Sequence, residues 1–176
     1  MFERLGALVI DTDLLARDAV AAHTDGLHEI ARVWPQVLRN GALDRAKLAE
    51  IVFADPVARE RLNGIVHPHV RRLADRMERT AKPGQPIVQM IPLLFESRLE
   101  ATMDKTVVVI APDEKRVART VKRDKISEGA VRSRMAAQID PRLARKRADY
   151  VILNDGNLAR LQERAKATYE MLMEGR

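Results

Sequence analysis

Two carboxylates that follow an apolar run are the residues of this sequence best placed to do chemistry. Asp11 and Asp13 come directly after Ala7–Ile10, which includes the β-branched Val9. The pattern predicts a short buried strand over 7–13 that opens into a site at its carboxyl end. In an open parallel α/β sheet, ligands bind at the carboxyl ends of the strands, so both aspartates are candidates for a functional role. On this stretch alone, a solvated cap between the strand and the next helix is an equally good interpretation.

Three arginines in the second half of the chain form the other chemical pattern. Arg116, Arg119 and Arg123 are spaced i, i+3 and i+7 in a charged segment with helical periodicity, which puts them on one helix face. Such a face is either an ordinary solvated surface or a lid that closes over phosphates, since arginine matches phosphate oxygens. Arg17, on the polar side of a helix expected over 14–23, is open to the same two interpretations.

Composition limits the classes of function. The formal charge of +6 favours polyanionic partners, but aromatic residues make up only 3% of the chain, too few for stacking on single-stranded nucleic acid, so small phosphorylated ligands are favoured. With no cysteine there is no disulfide framework, thiolate nucleophile or Cys-based zinc site, in keeping with a reducing compartment. The histidines lack metal-ligand spacing, and no segment reaches the ~18 apolar residues of a membrane span. We therefore expect a cytoplasmic protein with no membrane partner and no metal site of its own.

The order of elements predicts an α/β protein with a parallel sheet. Continuous apolar strands that alternate with helices are typical of sheets covered on both faces. The strands are expected over 7–13, 87–91, 105–111 and within 147–156. Residues 14–82 are expected to be an all-helical block with a turn at Asn40–Gly41, and one helix of this block should end at His67 before another opens at Pro68.

A family resemblance is carried by motifs spread from Phe2 to the C-terminus. They are Val9–Asp13 with Arg17, Gly41–Arg45 with Leu48, Ile51–Pro56, Ile65–Pro68, Ile91–Glu96 and Ala148–Ile152 with Asn154 and Gly156. Each motif is weak alone, but in this order and spacing they resemble dephospho-CoA kinases. The resemblance implies a P-loop-kinase-like fold, a three-layer α/β/α parallel sheet with a helical acceptor-binding insertion and a helical lid. The single domain 1–176 would consist of a core (1–13, 86–112 and 148–176), the insertion 14–85 and the arginine-rich lid 113–147.

The activity implied by the resemblance is transfer of the γ-phosphoryl group of ATP to the ribose 3′-hydroxyl of dephospho-CoA, with Mg²⁺ on the ATP phosphates. Asp13 would face the acceptor hydroxyl, and Arg119 would neutralise charge on the transferred group, so these two would be catalytic. The residues implied to bind dephospho-CoA are Asp11, Arg17, His67, Pro92, Leu93 and Glu96. Those implied to bind ATP are Arg119, Arg123, Asn154 and Gly156.

Several of these assignments have alternatives. His67 is also explained as a helix-junction residue, Glu96 as the partner of a nearby arginine, and Asn154–Gly156 as an ordinary turn. Another nucleoside-like acceptor is a further possibility. We expect a monomer, with dephospho-CoA rather than nucleic acid as its partner.

The same resemblance implies a first strand and a GxxxxGK[ST] loop ahead of Phe2. The 176 residues contain no Gly-Lys dipeptide, and none of the eight glycines begins such a loop. The chain as it stands should therefore be inactive, and strand edges should be exposed, because the missing strand lies mid-sheet in related kinases. Two interpretations stay open. The chain is a fragment of a working enzyme, which we favour, or a catalytically dead remnant that binds dephospho-CoA or another polyanion.

Overall fold

The chain forms two compact units in the computed structural model, which describes residues 1–175. One unit is Leu8–Pro92, and the other is Met1–Ala7 together with Leu93–Arg176. Each contains one pair of parallel strands with helices. The α/β class with parallel strands is therefore as predicted, whereas the division into core, insertion and lid stays a prediction.

The first unit is built on a parallel strand pair followed by helices. Strand β1 pairs with β4 so that Leu8 lies opposite Ile87 and Asp11 opposite Met90. The carboxyl ends of both strands are thus side by side. The elements are β1 (Leu8–Asp11), α1 (Thr12–Asp18), α2 (Asp25–Val33), β2 (Leu38–Arg39), β3 (Ala42–Leu43), α3 (Arg45–Ala54), α4 (Pro56–Glu78) and β4 (Ile87–Met90).

Side-chain oxygens set the starts of the helices in this unit. Asp44 accepts a hydrogen bond from the N–H of Lys47 at 3.1 Å, and Asp55 accepts one from Val57 at 2.8 Å, while Pro56 occupies the first helical position. These are the caps that the sequence predicts. The core between the helices contains the fully buried Ile30 and Val37, against which one face of α4 packs.

The structure corrects two predictions for the helical block. Helix α4 runs unbroken through Pro68, although a break was expected there. Proline loses one backbone hydrogen bond inside a helix, but apolar residues on both sides of it, among them Ile65 and Val70, pack into the same core and hold the helix together. The block is also not entirely helical, because β2 and β3 form a hairpin whose turn residues, Asn40 and Gly41, both have positive φ. That geometry is typical of a two-residue hairpin turn.

The second unit contains the other parallel pair. Strands β5 and β6 run from Val107 opposite Tyr150 to Ile110 opposite Leu153. A 3₁₀ turn over Phe2–Leu5, ended by Gly6 at φ +103°, contacts the last helix, and the rings of Phe2 and Tyr169 lie 5.6 Å apart. The elements are β5 (Val107–Ile110), α5 (Asp113–Asp124), α6 (Glu128–Ala136), α7 (Pro141–Arg147), β6 (Tyr150–Leu153) and α8 (Leu158–Glu174).

Every strand of the two parallel pairs has an edge without a strand partner among residues 1–175, because each pair is a separate two-stranded sheet. Large apolar side chains on these strands are exposed, among them Met90 of β4 and Val109 of β5, the latter by 57%. Within the same residues, no helix combines the length and apolar character that a membrane span requires.

A hydrogen-bonded clasp joins the starts of β5 and β6. Thr106 donates its backbone N–H (2.8 Å) and its hydroxyl (2.7 Å) to Oδ2 of Asp149, and the N–H of Asp149 donates back to the threonine oxygen at 3.0 Å. The hydroxyl and N–H of Thr106, followed by the charge of Lys105, lower the pKa of the Asp149 carboxyl. Thr106 itself is buried, so its N–H depends on this carboxylate.

Removing the clasp should destabilise the chain in a pH-dependent way. Asp149→Ala leaves the buried N–H of Thr106 without its acceptor, and we expect the free energy of unfolding at pH 7 to fall by about 1–3 kcal/mol. Because the folded pKa lies below the unfolded one, the contribution is complete above the unfolded value of about 3.9 and disappears as the pH falls through the folded pKa. Urea unfolding between pH 7 and pH 2.5 measures the difference. Asp104→Ala, at an exposed position, is the control, and a loss that is constant over this range contradicts the assignment.

Candidate active site

The junction between β1 and α1 is held by side chains of its own sequence. Oδ1 of Asp11 accepts hydrogen bonds from the N–H groups of Asp13 (3.0 Å) and Leu14 (3.2 Å), which makes Asp11 the N-cap of α1. The hydroxyl of Thr12 donates to the carbonyl of Met90 at 2.8 Å and ties the start of α1 to the end of β4. For Asp11, the capping interpretation is therefore correct in the structure.

Asp13 differs from Asp11 although the two lie two residues apart. It is not part of the strand but stands in the first turn of α1, where it is exposed and its side chain has no hydrogen bond or ion pair with the described residues. A carboxylate in a first helical turn is favoured by the helix dipole. Arg17, one turn later on the same face and equally exposed, has no side-chain partner in residues 1–175 either. The pair offers an acceptor and a cation at the strand end.

His67, the histidine predicted to bind the acceptor, is exposed, whereas His69, two residues later, is buried. No hydrogen bond involves the side chain of His67 within residues 1–175, whereas His69 is only 9% exposed. Its Nε2 lies 3.1 Å from a carboxylate oxygen of Glu29, and its Nδ1 lies 2.7 Å from Nη2 of Arg72. Sequence reasoning missed this residue. Its helical spacing with the apolar Leu73 could have indicated burial, since positions four apart share a helix face.

The turn after β4 crosses from one unit into the other, since the division falls between Pro92 and Leu93. The side chains of Pro92 and Leu93 are both exposed. In the second unit, Glu96 accepts a hydrogen bond at 2.7 Å from the N–H of Ile139, in the link between α6 and α7. Glu96 thus holds a backbone group of the predicted lid rather than the side chain of an arginine. Nearby, the guanidinium of Arg147 lies 4.9 Å from the centre of the Phe95 ring.

The three arginines of α5 have different surroundings. Arg116 pairs with Asp113 at 3.3 Å and donates to Gln138 at 2.9 Å. Arg123 is hydrogen bonded through Nε (2.7 Å) and Nη2 (3.1 Å) to Asp124, which lowers the pKa of that carboxyl and raises that of the guanidinium. Arg119 is exposed and has no side-chain partner in the part of the chain that the structure describes. Arg119 is therefore the one of the three that is free to meet a ligand.

The loop after β6 is tightly anchored. The N–H of Asn154 donates to the carbonyl of Ile110 at 2.7 Å, which joins the ends of β5 and β6. Arg164 of α8 contacts the carbonyl of Leu153 and donates to Oδ1 of Asp155 at 2.6 Å, and this hydrogen bond lowers the pKa of Asp155. Lys115 of α5 contacts the backbone oxygen of Asp155. The 154–156 segment is thus a fixed backbone platform rather than a simple solvated turn.

Gly156 is the last residue of this platform, and its backbone lies close to the side chain of Arg160. A Cβ at this position would lie 3.0 Å from Cδ of Arg160.

Metal ligation is a separate question. Within residues 1–175, no three His, Asp or Glu side chains come close enough together to hold a metal ion. A magnesium ion that travels on nucleotide phosphates needs only one or two protein ligands, so such a cluster is not required of it.

Each unit has polar or charged side chains near the carboxyl ends of its parallel strands, and the two units are described separately. At the end of β1 a free carboxylate and a free guanidinium share a helix face. At the ends of β5 and β6 the structure has an anchored loop, with an unpaired arginine on α5. An acceptor hydroxyl can be hydrogen bonded at the first place, and phosphate charge can be neutralised at the second.

Comparison with known proteins gives consistent results. The family model described as dephospho-CoA kinase matches residues 1–160. A dephospho-CoA kinase of Moorella thermoacetica is 40% identical over 173 residues, covering 96% of this chain and 82% of the relative. One from Anaeromyxobacter dehalogenans is 44% identical over 176 residues, covering 97% of this chain and 83% of the relative.

Solved structures agree with the sequence comparison. A crystal structure of a protein from Thermus thermophilus superposes with a TM-score of 0.83 at 37% identity, covering 97% of this chain and 87% of that one. A dephospho-CoA kinase from Campylobacter jejuni superposes with a TM-score of 0.71 at 27% identity, covering 98% and 88%. The predicted P-loop-kinase fold class is confirmed by these neighbours. The chain belongs to the dephospho-CoA kinase family, whose members are phosphotransferases.

Proposed function

We propose that Asp13 and Arg119 are the catalytic residues of a reaction that transfers the γ-phosphoryl group of ATP to the ribose 3′-hydroxyl of dephospho-CoA. The observation that carries the proposal is the difference between two carboxylates. Asp11 is committed to capping α1, whereas Asp13 beside it is exposed with no partner among the described residues. A free carboxylate at the carboxyl end of a parallel strand is suited to accept a hydrogen bond from a ligand hydroxyl.

In the proposed reaction, Asp13 accepts the hydrogen bond of the 3′-hydroxyl and orients its oxygen toward the γ-phosphorus. The O3′–P bond forms while the bond to the β,γ-bridging oxygen breaks, ADP departs, and the hydroxyl proton passes to Asp13 and then to solvent. Arg119 neutralises charge on the transferred group. Magnesium, bound on the ATP phosphates, would supply further charge neutralisation.

The remaining site residues are proposed in the same two groups. Arg17 and the exposed His67 would contact dephospho-CoA, together with Pro92 and Leu93, and Asp11 would support Asp13 by fixing the helix start. Glu96 would act indirectly, because its carboxylate is already bonded to Ile139.

ATP would be contacted by Asn154 and Gly156 through the anchored backbone of their loop. Arg123 would assist Arg119 only by exchanging its present partner, Asp124, for phosphate. A cytoplasmic location and a monomeric state remain predictions.

A second candidate function is binding of dephospho-CoA without catalysis. It is considered for polypeptide 1–176 as such, which contains no GxxxxGK[ST] segment, the loop that supplies the backbone amides, the lysine and the hydroxyl that hold the ATP phosphates. The two candidates share one acceptor site and differ only in turnover.

Calorimetric titration of polypeptide 1–176 with dephospho-CoA tests the acceptor site. We expect binding that Asp13→Ala or Arg17→Ala weakens by about tenfold or more, because each change removes a charged hydrogen-bonding partner. Glu50→Ala, an exposed carboxylate of α3, is the matched control and should bind as the parent chain does. Strongly salt-dependent binding of DNA that is indifferent to Asp13→Ala, with no dephospho-CoA binding, would instead identify a polyanion-binding protein.

A further inference from the structure

The first turn of α5 is tied to two other parts of its unit. The ammonium of Lys115 contacts the backbone oxygen of Asp155, in the anchored 154–156 segment. Arg116, the next residue, donates to Oε1 of Gln138, in the turn after α6, at 2.9 Å. Within residues 1–175, Lys115 is the one residue of α5 whose side chain makes a polar contact beyond the α5–α6 pair and the turn that follows it. This contact is therefore the polar link between α5 and the segment proposed to bind ATP.

Farther along α5, the cations either are paired within the α5–α6 pair or are free. Arg123 is hydrogen bonded to its neighbour Asp124, whose Oδ2 also lies 3.8 Å from Nη1 of Arg134 in α6. Arg119 and Lys122 are exposed, and neither side chain has a hydrogen bond or ion pair with the described residues. No polar contact of its own fixes Arg119, so its place depends on how the helix as a whole is held.

The 154–156 segment has anchors that do not depend on Lys115. The N–H of Asn154 donates to the carbonyl of Ile110 at 2.7 Å, and Arg164 donates to Oδ1 of Asp155 at 2.6 Å. These bonds come from strand β5 and helix α8, which remain when the ammonium of Lys115 is removed. We therefore expect the loss of that ammonium to release the start of α5 and to leave the segment in place.

Lys115 and Arg119 lie on the same face of α5, because they are four residues apart. Residues at this spacing have their Cβ atoms about 5–6 Å from each other. The contact of Lys115 with Asp155 therefore turns the face that carries Arg119 toward the 154–156 segment.

The helix itself gains nothing from a lysine at this position. The first turn of α5 begins with Asp113 and Glu114, whose carboxylates the helix dipole favours, whereas the cation of Lys115 opposes the same dipole. What Lys115 contributes is thus its contact outside the helix, which its long side chain and three N–H donors allow it to make.

We propose that Lys115 is a positioning residue for phosphoryl transfer. By holding the carbonyl of Asp155 it sets the orientation of α5, and thereby the position of the Arg119 guanidinium at the transferred group. The inference rests on the proposed function, in which Arg119 neutralises charge on that group and residues 154–156 contact ATP. Because the rate depends steeply on position, a displacement of about 1 Å at a reacting centre can cost ~10²-fold.

Steady-state kinetics of a chain extended at its N-terminus by a strand and a GxxxxGK[ST] loop test the proposal. We expect Lys115→Met, which keeps the stem but removes the donor, to lower kcat by about tenfold or more. The KM for ATP should change by less than about threefold, because the 154–156 segment keeps its other anchors. Lys115→Arg keeps a donor and should recover most of kcat. Lys122→Met removes the same charge from an unpaired position of α5 and is the matched control, with no expected effect.

The decisive measurement repeats the lysine substitution in an Arg119→Ala background. If Lys115 acts through Arg119, Lys115→Met has little further effect on kcat once the guanidinium is gone. An equal fold-loss in both backgrounds would show that Lys115 acts independently of Arg119, which overturns the assignment. An unchanged kcat in Lys115→Met, or a loss confined to the KM for ATP, overturns it as well.

Amide hydrogen exchange of polypeptide 1–176 provides a readout that needs no turnover. We expect Lys115→Met to speed exchange severalfold over residues 113–124 and to leave residues 150–157 as in the parent chain, because only the helix loses an anchor. Identical exchange over 113–124 in the parent chain and the variant contradicts the proposal.

The outcomes separate this inference from the function on which it rests. If Arg119→Ala lowers kcat in the extended chain and Lys115→Met does not, the positioning role is wrong and the role of Arg119 stands. If Arg119→Ala keeps the full kcat, or if the extended chain shows no turnover that depends on dephospho-CoA, both proposals fail together.

Discussion

Polypeptide 1–176, mixed with ATP, Mg²⁺ and dephospho-CoA, is expected to release ADP no faster than the background. The reason is physical. Phosphoryl transfer depends on positioned charge around the transferred group, and the backbone amides and lysine of a GxxxxGK[ST] loop supply much of that charge. None of the 176 residues forms such a loop. Removing one such group typically lowers the rate of the chemical step by about 10²–10³-fold. The loss of several of them together should therefore lower turnover by at least ~10⁴-fold.

A chain extended at its N-terminus by a strand and a GxxxxGK[ST] loop provides the comparison. We expect the extension to produce dephospho-CoA-dependent ADP release, and Asp13→Asn within it to lower kcat by about 10²–10⁴-fold, because the amide keeps the size of the side chain but cannot take the proton. Glu50→Gln in the same extended chain is the control. Dephospho-CoA-dependent turnover near 1 s⁻¹, of the size usual for kinases, by the unextended polypeptide would show that the loop is dispensable.

Replacing each of two helical glycines with alanine should change the free energy of unfolding in opposite directions. Gly26→Ala places a Cβ 2.2 Å from the carbonyl oxygen of Ala19 and 3.4 Å from the ring of His69, so the packed ends of α1 and α2 must separate. Overpacking of this kind costs typically about 1–3 kcal/mol, and a clash against backbone belongs at the upper end. Gly64→Ala, inside α4 with nothing within 4 Å of the new Cβ, should instead stabilise the chain by about 0.5–1 kcal/mol.

Urea unfolding of both glycine variants measures the difference directly. The pair controls for helix propensity, because each substitution makes the same chemical change within a helix. Equal effects at the two positions would mean that the approach of α2 to the end of α1 is looser than the 2.2 Å distance implies.

Local sequence patterns predicted the helix caps and the apolar strands correctly. The caps at Asp44 and Asp55 were identified correctly because a carboxylate before a helix bonds to N–H groups two or three residues away, and that depends on neighbouring sequence alone. The apolar strands were predictable for a similar reason, since buried parallel strands are continuous apolar runs. Pro68 was misjudged because a local rule on helix breaking competes with core packing along the whole of α4.

The sequence by itself determined the α/β class, the order of the four strands of the two parallel pairs, the family and the residues that stand at the strand ends. These follow from periodicity, capping and motif spacing. The tertiary structure decided which of those residues are free. It separated the capping Asp11 from the unpaired Asp13, and the paired Arg123 from Arg119, because partners are set by side-chain packing in space rather than by spacing along the chain. It also brought Glu29 and His69 together, although they lie forty positions apart in the chain.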